Sequence, residues 1–266
     1  MGGVAIPGAR VLLTGATGGL GGVLARRLAR DGAQLTVSGR RADVLEALAA
    51  DLGARAIVAD LADRGDVAAL AAAAAQTDVL IACAALPGSG RLQTLESIHV
   101  DRALEVNLRA PVALAHALLP GMLARRRGAL VFIGSLAGTA ATAGASTYSA
   151  SKFGLRGFAL ALRAELAGTG VGVSHIRAGF IRERGMYART EIALPRGVGS
   201  RTPGQVTDAV IAAIERDRGE VTVAPPALGI GASLATLAPG FAAWATRHSG
   251  GDRLALEFEE RQADQR

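Results

Sequence analysis

An apolar run, Val11-Leu12-Leu13, passes into Thr14-Gly15-Ala16-Thr17-Gly18-Gly19-Leu20-Gly21 and then into a helical pattern through Leu24, Leu28 and Ala29. A strand that hands over to a helix through glycines belongs to α/β architecture, where the helix lies back across a parallel sheet. Without Cβ atoms, the backbone N–H groups of such a turn can approach a pyrophosphate, and the helix N-terminus adds partial positive charge. The spacing is G-x-x-x-G-x-G rather than G-x-G-x-x-G, so taken alone the turn is also compatible with a structural role.

The rest of the chain repeats the alternation. Leu35 to Ser38 reads as a second strand, Ala42 to Leu52 as a helix and Ala56 to Ala59 as a third strand. Asp78 to Cys83 reads as a fourth strand, whose continuous apolar run is of the kind buried on both faces of a parallel sheet. Two helical stretches between Leu95 and Leu123, divided near Pro111, precede a fifth strand, Ala129 to Gly134. A long helix from Ala145 to Ala167, a sixth strand from Val171 to Ile176, a helix from Thr202-Pro203 to Ile214 and a last strand from Glu220 to Ala224 complete the series. The pattern predicts a doubly wound, Rossmann-like parallel sheet of about seven strands with helices on both faces. A length of 266 residues, 50% of them hydrophobic, fits one dinucleotide-binding and catalytic domain, with 225–266 as a C-terminal extension that contacts substrate or another subunit.

Composition narrows the partners. A net charge of +6 raises nucleic acid as a ligand, but the arginines are scattered and the one tight run, Arg125-Arg126-Arg127, reads as a solvated helix end. No nucleic-acid partner is expected. The single Cys83 gives neither a disulfide framework nor a metal ligand set, which fits a reducing cytoplasm, and 1–10 carries no secretion signal. Val221 to Thr246 has no charge, yet prolines leave only Ala227 to Ala238 uninterrupted. That piece reaches roughly 18 Å as a helix, short of a hydrocarbon core of about 30 Å, so no membrane span is expected.

The chemistry gathers at Ser146-Thr147-Tyr148-Ser149-Ala150-Ser151-Lys152. Residues four apart on a helix share a face, so Tyr148 and Lys152 converge, and a neighbouring ammonium favours the phenolate and draws the tyrosine's proton toward neutral pH. Of 29 Lys and Arg residues, 28 are arginine, which leaves Lys152 as the only lysine. Ser135 stands at the carboxyl end of the fifth strand, the edge where open parallel sheets bind ligands. Asn107, an amide among apolar neighbours, needs partners: either it satisfies backbone groups or it anchors a water relaying protons to Lys152.

Gly39-Arg40-Arg41 ends the second strand where an acidic residue would hold ribose hydroxyls. Two cations there favour a 2′-phosphate, hence NADP, with NADPH preferred over NADH. Asp60-Leu61, ending the third strand, falls where the adenine lies, although Asp60 can equally cap the next helix. The polar stretch from Arg182 to Met186 is placed to close over a substrate.

Together these motifs resemble the short-chain dehydrogenase/reductase family, with its T-G-x-x-x-G-x-G turn and Y-x-x-x-K pair, over about residues 8–224. The resemblance implies a cofactor turn built on Gly15, Thr17, Gly19, Leu20 and Gly21, with Arg40, Arg41, Asp60, Leu61 and Ala84 completing the cofactor site. It implies Ser135 as the substrate-binding serine, Tyr148 and Lys152 as the catalytic pair that also touches the cofactor, and Asn107 as a proton-relay asparagine. A homodimer or homotetramer built partly through the two long helices follows from the same likeness. Three departures stand out: Ala82-Cys83-Ala84-Ala85 in place of Asn-Asn-Ala-Gly, Ala178-Gly179 in place of Pro-Gly, and Glu183 in place of a threonine. The expected activity is hydride transfer between NADP(H) and a ketone, aldehyde or alcohol. Two other readings compete: a non-catalytic NADP-binding regulator or scaffold, and a peripheral membrane reductase of lipid-like ketones.

Overall fold

The computed structural model describes residues 3–190, 192, 194, 198–240, 248, 257 and 261. Its strands are β1 (Arg10–Thr14), β2 (Gln34–Gly39), β3 (Arg55–Val58), β4 (Val79–Ala82), β5 (Gly128–Ser135), β6 (Val171–Ala178) and β7 (Glu220–Val223). They form one seven-stranded sheet in the order β3-β2-β1-β4-β5-β6-β7, every pairing parallel. The helices are α1 (Gly19–Arg30), α2 (Ala42–Leu52), α3 (Arg64–Ala73), α4 (Ser97–Leu104), α5 (Ala110–Ala124), α6 (Ser146–Glu165), α7 (Pro203–Glu215) and α8 (Pro226–Ala235).

The two-residue period of the strands explains both layers. Val11 and Leu13 of β1, Val79 and Ile81 of β4, and Val131 and Ile133 of β5 join a core with α1, α2 and α7. Leu12, Leu80 and Phe132 point the other way, into a core with α3, α5 and α6. This is why β4 is apolar at every position: all four of its residues are buried, two on each face. The strand order reverses between β1 and β4, which opens a crevice at their carboxyl ends.

Two sequence expectations are corrected. The helical stretch is not divided at Pro111 but continues through it, with a π-helical segment at Glu105–Arg109 where Ala110 donates to the Glu105 carbonyl. Proline has no N–H to return to the Asn107 carbonyl four residues back, and the ladder widens just before it. The helix after β3 is capped by Asp63, whose side chain accepts from the Asp66 N–H at 2.9 Å, and not by Asp60. The uncharged tail begins with the ten-residue α8, too short to span a membrane; its continuation over 241–247 lies outside the described residues, as do most of 248–266. Among the described residues one helix, Ser97–Ala124, is long and apolar enough to cross a membrane, but its Ala110, Leu114, Ala115 and Leu118 are buried in the core.

Candidate active site

The glycine turn faces the crevice between β1 and β4, and its glycines are required by close approaches. Gly15 has φ +70°, and a Cβ there would sit 2.6 Å from the Ala84 Cα. A Cβ on Gly21 would lie 2.1 Å from the Gly15 carbonyl oxygen, and one on Gly19 would lie 2.4 Å from the Gly185 nitrogen. The N-cap of α1 is Gly18, with no side-chain cap and no acidic residue in the first turn. A helix start left uncapped by its own side chains, behind a turn with no room for Cβ atoms, fits an anionic phosphate. Thr14 Oγ1 accepts from the Cys83 and Ala84 N–H groups at 3.2 and 3.4 Å, so the altered 82–85 stretch is tied to β1 through its backbone. Burial pushes the Cys83 thiol up to about 12, against the pull of the Lys152 charge, and it behaves as an apolar side chain.

At the end of β2, Arg40 and Arg41 are both exposed. Arg41 Nη2 donates to the Thr17 carbonyl of the glycine turn. Asp60 accepts from the Ala62 N–H at 3.0 Å and pairs with Arg102 at 3.0 Å. Burial works against its ionisation, but Ala62, Arg102 and Arg40 together hold its carboxyl below the usual range. The side chain of Leu61 is buried in the second core, so it can meet a cofactor only through its backbone, while that of Leu20 is partly buried against the first core.

Tyr148 and Lys152 lie on the first two turns of α6, and Ser135 is the last residue of β5. The Lys152 nitrogen is 5.7 Å from the Tyr148 ring centroid and donates to the Ile133 carbonyl at 3.1 Å. Ser135 accepts from the Ala137 N–H at 3.1 Å and hydrogen-bonds the Tyr148 side chain. The three side chains are thus brought together at the carboxyl end of β5. The expected electrostatics need correction, however. Burial pushes the Tyr148 phenol above its ordinary value, opposed by the Ser135 hydrogen bond, and burial pulls Lys152 down to about 8. Desolvation, rather than the ammonium, dominates the tyrosine.

Asn107 is fully buried, and its side chain satisfies backbone groups. Its Oδ1 accepts from the Leu86 N–H at 2.7 Å, and its Nδ2 donates to the Leu86 carbonyl at 2.9 Å and to Ser151 Oγ at 3.4 Å. Ser151 in turn donates to the Tyr148 carbonyl at 2.8 Å. Asn107 therefore locks the segment after β4 to the turn of α6 that carries Tyr148. Gly88, in that segment, has no space for a Cβ, which would lie 2.9 Å from the Tyr148 nitrogen.

The segment after β6 folds over the glycine turn, as the Gly19 to Gly185 approach requires. Glu183 stands there with φ +72° and pairs with Arg182 at 3.3 Å, both exposed. On the far side, Ala232 of α8 packs with Leu136 and Ala224 next to Ser135. The buried His175 and its half-buried partner Glu220 were not expected from the sequence, because only the register of β6 and β7 pairs them.

The sequence pattern of the family described as short chain dehydrogenase matches residues 9–191. Among curated relatives, the ketoacyl reductase HetN of Nostoc sp. is 37% identical over 82% of this chain and 79% of its own length. The NADP-dependent 3-hydroxy acid dehydrogenase YdfG of Salmonella typhi is 36% identical over 64% of this chain and 72% of its own. Among solved structures, a short-chain dehydrogenase from Sphingobium yanoikuyae in complex with NADPH superposes with a TM-score of 0.73 at 29% identity, covering 91% of this chain and 94% of that one.

Proposed function

We propose a reaction on the premise that this match supplies: the chain belongs to the short-chain dehydrogenase/reductase family, and it is an oxidoreductase of that family. The specific reading is reversible reduction of a ketone or aldehyde by NADPH, with ketoacyl and 3-hydroxy acid compounds first among the candidates because two relatives carry those names. The observation that carries it is the meeting of Ser135, Tyr148 and Lys152 at the carboxyl end of β5, beside a turn whose glycines leave room for phosphate.

The turn at Gly15, Thr17, Gly19 and Gly21 would hold the pyrophosphate, Asp60 and the backbone of Leu61 and Ala84 would border the adenine half, and Arg40 with Arg41 would meet the 2′-phosphate. When bound, the cofactor supplies the hydride, or accepts it in the reverse direction. Ser135 holds the substrate oxygen. Tyr148, kept protonated by burial, donates its phenolic proton to that oxygen as negative charge develops, since an alkoxide is a far stronger base than a phenolate. Lys152, charged below about pH 8, stabilises the phenolate left behind and would bind the cofactor's ribose. Asn107 positions the Tyr148 turn and the segment after β4.

A homo-oligomer through the long helices is part of the same proposal, supported by Phe153 and Leu160, seven residues apart on α6 and each 39% exposed. The activity is tested by following the loss of NADPH absorbance over aldehydes, ketones and 3-oxoacyl thioesters, with Tyr148→Phe as control. Consumption that needs both substrate and Tyr148 supports the reading. Cofactor binding without turnover on any carbonyl would favour a regulator instead.

A further inference from the structure

His175 lies at the centre of β6, fully buried on the face that α6 covers. Its Nδ1 is 3.2 Å from Glu220 Oε1, its register partner on β7. Glu220 is held ionised despite its burial. Arg156 of α6 contacts it at 2.8 and 3.2 Å, and the charge of Arg177 on β6 adds to the effect. An ionised carboxylate only accepts, so Nδ1 carries the ring proton and Nε2 carries the lone pair.

That lone pair has no partner among the described residues. The position is built for it. A Cβ on Gly134 would lie 2.1 Å from His175 Nε2, so β5 can pass this ring only with a glycine at 134. The preceding carbonyl on the same strand, Ile133, is the acceptor for Lys152, and the lysine's charge is among those that act on the ring. The charged and titratable groups facing the ring are thus Glu220 on β7 and Lys152 and Arg156 on α6; Lys152 in turn lies near Tyr148 and within electrostatic reach of Cys83.

We propose that His175 is a positioning residue for Lys152: clamped at Nδ1 by Glu220, its neutral ring holds a buried lone pair beneath α6 that favours the lysine's ammonium and so sets the pH range in which the Tyr148 and Lys152 pair works. The role deepens the reductase reading above, but its test does not depend on turnover. A buried cation is costly without a nearby acceptor, and the Ile133 carbonyl supplies only one for three ammonium protons. The Nε2 lone pair behind Gly134 makes no hydrogen bond to the lysine, but its partial negative charge lies one residue along β5 from that carbonyl and favours the charged form. If the ring itself became protonated, it would repel the ammonium.

Lys152 is the only lysine, so protein grown with side-chain-labelled lysine gives a single NMR signal from the chain, whose chemical shift follows its protonation. We expect His175→Leu to move the Lys152 midpoint down by at least about half a unit, roughly threefold in the protonation equilibrium, and His175→Gln, which places an amide oxygen near the Nε2 position, to restore most of it. The basic limb of the kcat/KM profile should move with it, while NADPH affinity at pH 6 stays within about twofold. A Lys152 midpoint that is the same in all three proteins overturns the proposal, as does a glutamine variant that behaves like leucine. Nitrogen-15 spectra of wild-type histidines, assigned with His175→Gln, give a check that needs no apolar variant. The Nδ1–H tautomer is expected, and an Nε2–H tautomer overturns the proposal. A shifted lysine in a protein that reduces no carbonyl would instead defeat the reductase reading and leave this coupling standing.

Discussion

The guanidinium of Arg41 donates to the carbonyl of Thr17, joining the end of β2 to the glycine turn at the mouth of the crevice. The two adjacent arginines therefore differ in what they do. Arg41 shapes the turn, while Arg40 is exposed beside it and contributes to holding Asp60 ionised. Arg40→Ala with Arg41→Ala is expected to weaken NADPH binding by about tenfold or more and NADH binding much less, because a charge-assisted bond to phosphate is worth about 1.5 to 3 kcal/mol. Arg41→Ala alone should weaken both cofactors slightly, and Arg40→Ala should be the more selective. Fluorescence titration with each cofactor decides it; equal losses in the double variant would show that neither arginine reads the 2′-phosphate.

Tyr148→Phe removes one oxygen from a fully developed site and should leave the fold and NADPH affinity in place. Carbonyl reduction is expected to fall by about 10² to 10⁴, the usual contribution of a positioned acid or base. Turnover within about threefold of wild type would rule out Tyr148 as the proton donor.

Asn107→Leu keeps the size of a buried side chain but removes its three hydrogen bonds, leaving the Leu86 N–H and carbonyl without their partner. We expect a loss of roughly 2 to 4 kcal/mol in urea unfolding. Activity should fall by more than the folded fraction explains, because the same segment carries Gly88 against Tyr148. Asn107→Asp retains the acceptor for the Leu86 N–H and should fall between the two. An unfolding midpoint unchanged by leucine would mean that these bonds do not hold the segment.

How much of this was legible before the fold was known depends on the range of the interaction. The glycine turn, the β4 run and the Tyr148 and Lys152 spacing are local, and their consequences follow from a helix or strand period. Asp60 and Asp63 both precede α3 at plausible capping positions, and only the backbone geometry shows that Asp63 caps while Asp60 turns to Arg102. Pro111 signalled a disturbance without saying that the helix would continue through a wider turn. His175 gave no signal: within Val-Gly-Val-Ser-His-Ile-Arg-Ala it is one more inward strand position, and its meaning comes from Gly134 on one neighbouring strand and Glu220 on the other. The tyrosine's raised pKa was missed for a related reason, since the helix spacing reveals the lysine but not the depth at which both are buried.

The last expectation concerns acid stability. Burial lowers the His175 pKa from its ordinary 6.5 to about 4, despite the opposing attraction of Glu220. Below pH 6.5 the unfolded chain binds a proton at this residue, whereas the folded chain does not until about pH 4. In that window the unfolded state holds more protons, so stability falls as the pH falls. The loss begins near the unfolded value and is complete below the folded one, amounting to roughly 3 kcal/mol. Asp78 and Glu220, whose folded pKa values are lowered from 3.8 and 4.5, add a further loss as the pH falls below those values. Lys152 acts in the opposite window: its folded pKa is about 8 against 10.5, so it makes stability rise with pH between those values and plays no part in the acid limb. His175→Gln has no ring to protonate. Its urea midpoint should therefore decline less than that of the wild type between pH 6.5 and 4, and the two curves should run parallel at lower pH. Curves already parallel from pH 6.5 downward would show that His175 titrates in the folded protein as it does in the unfolded chain, and that its burial carries no electrostatic penalty.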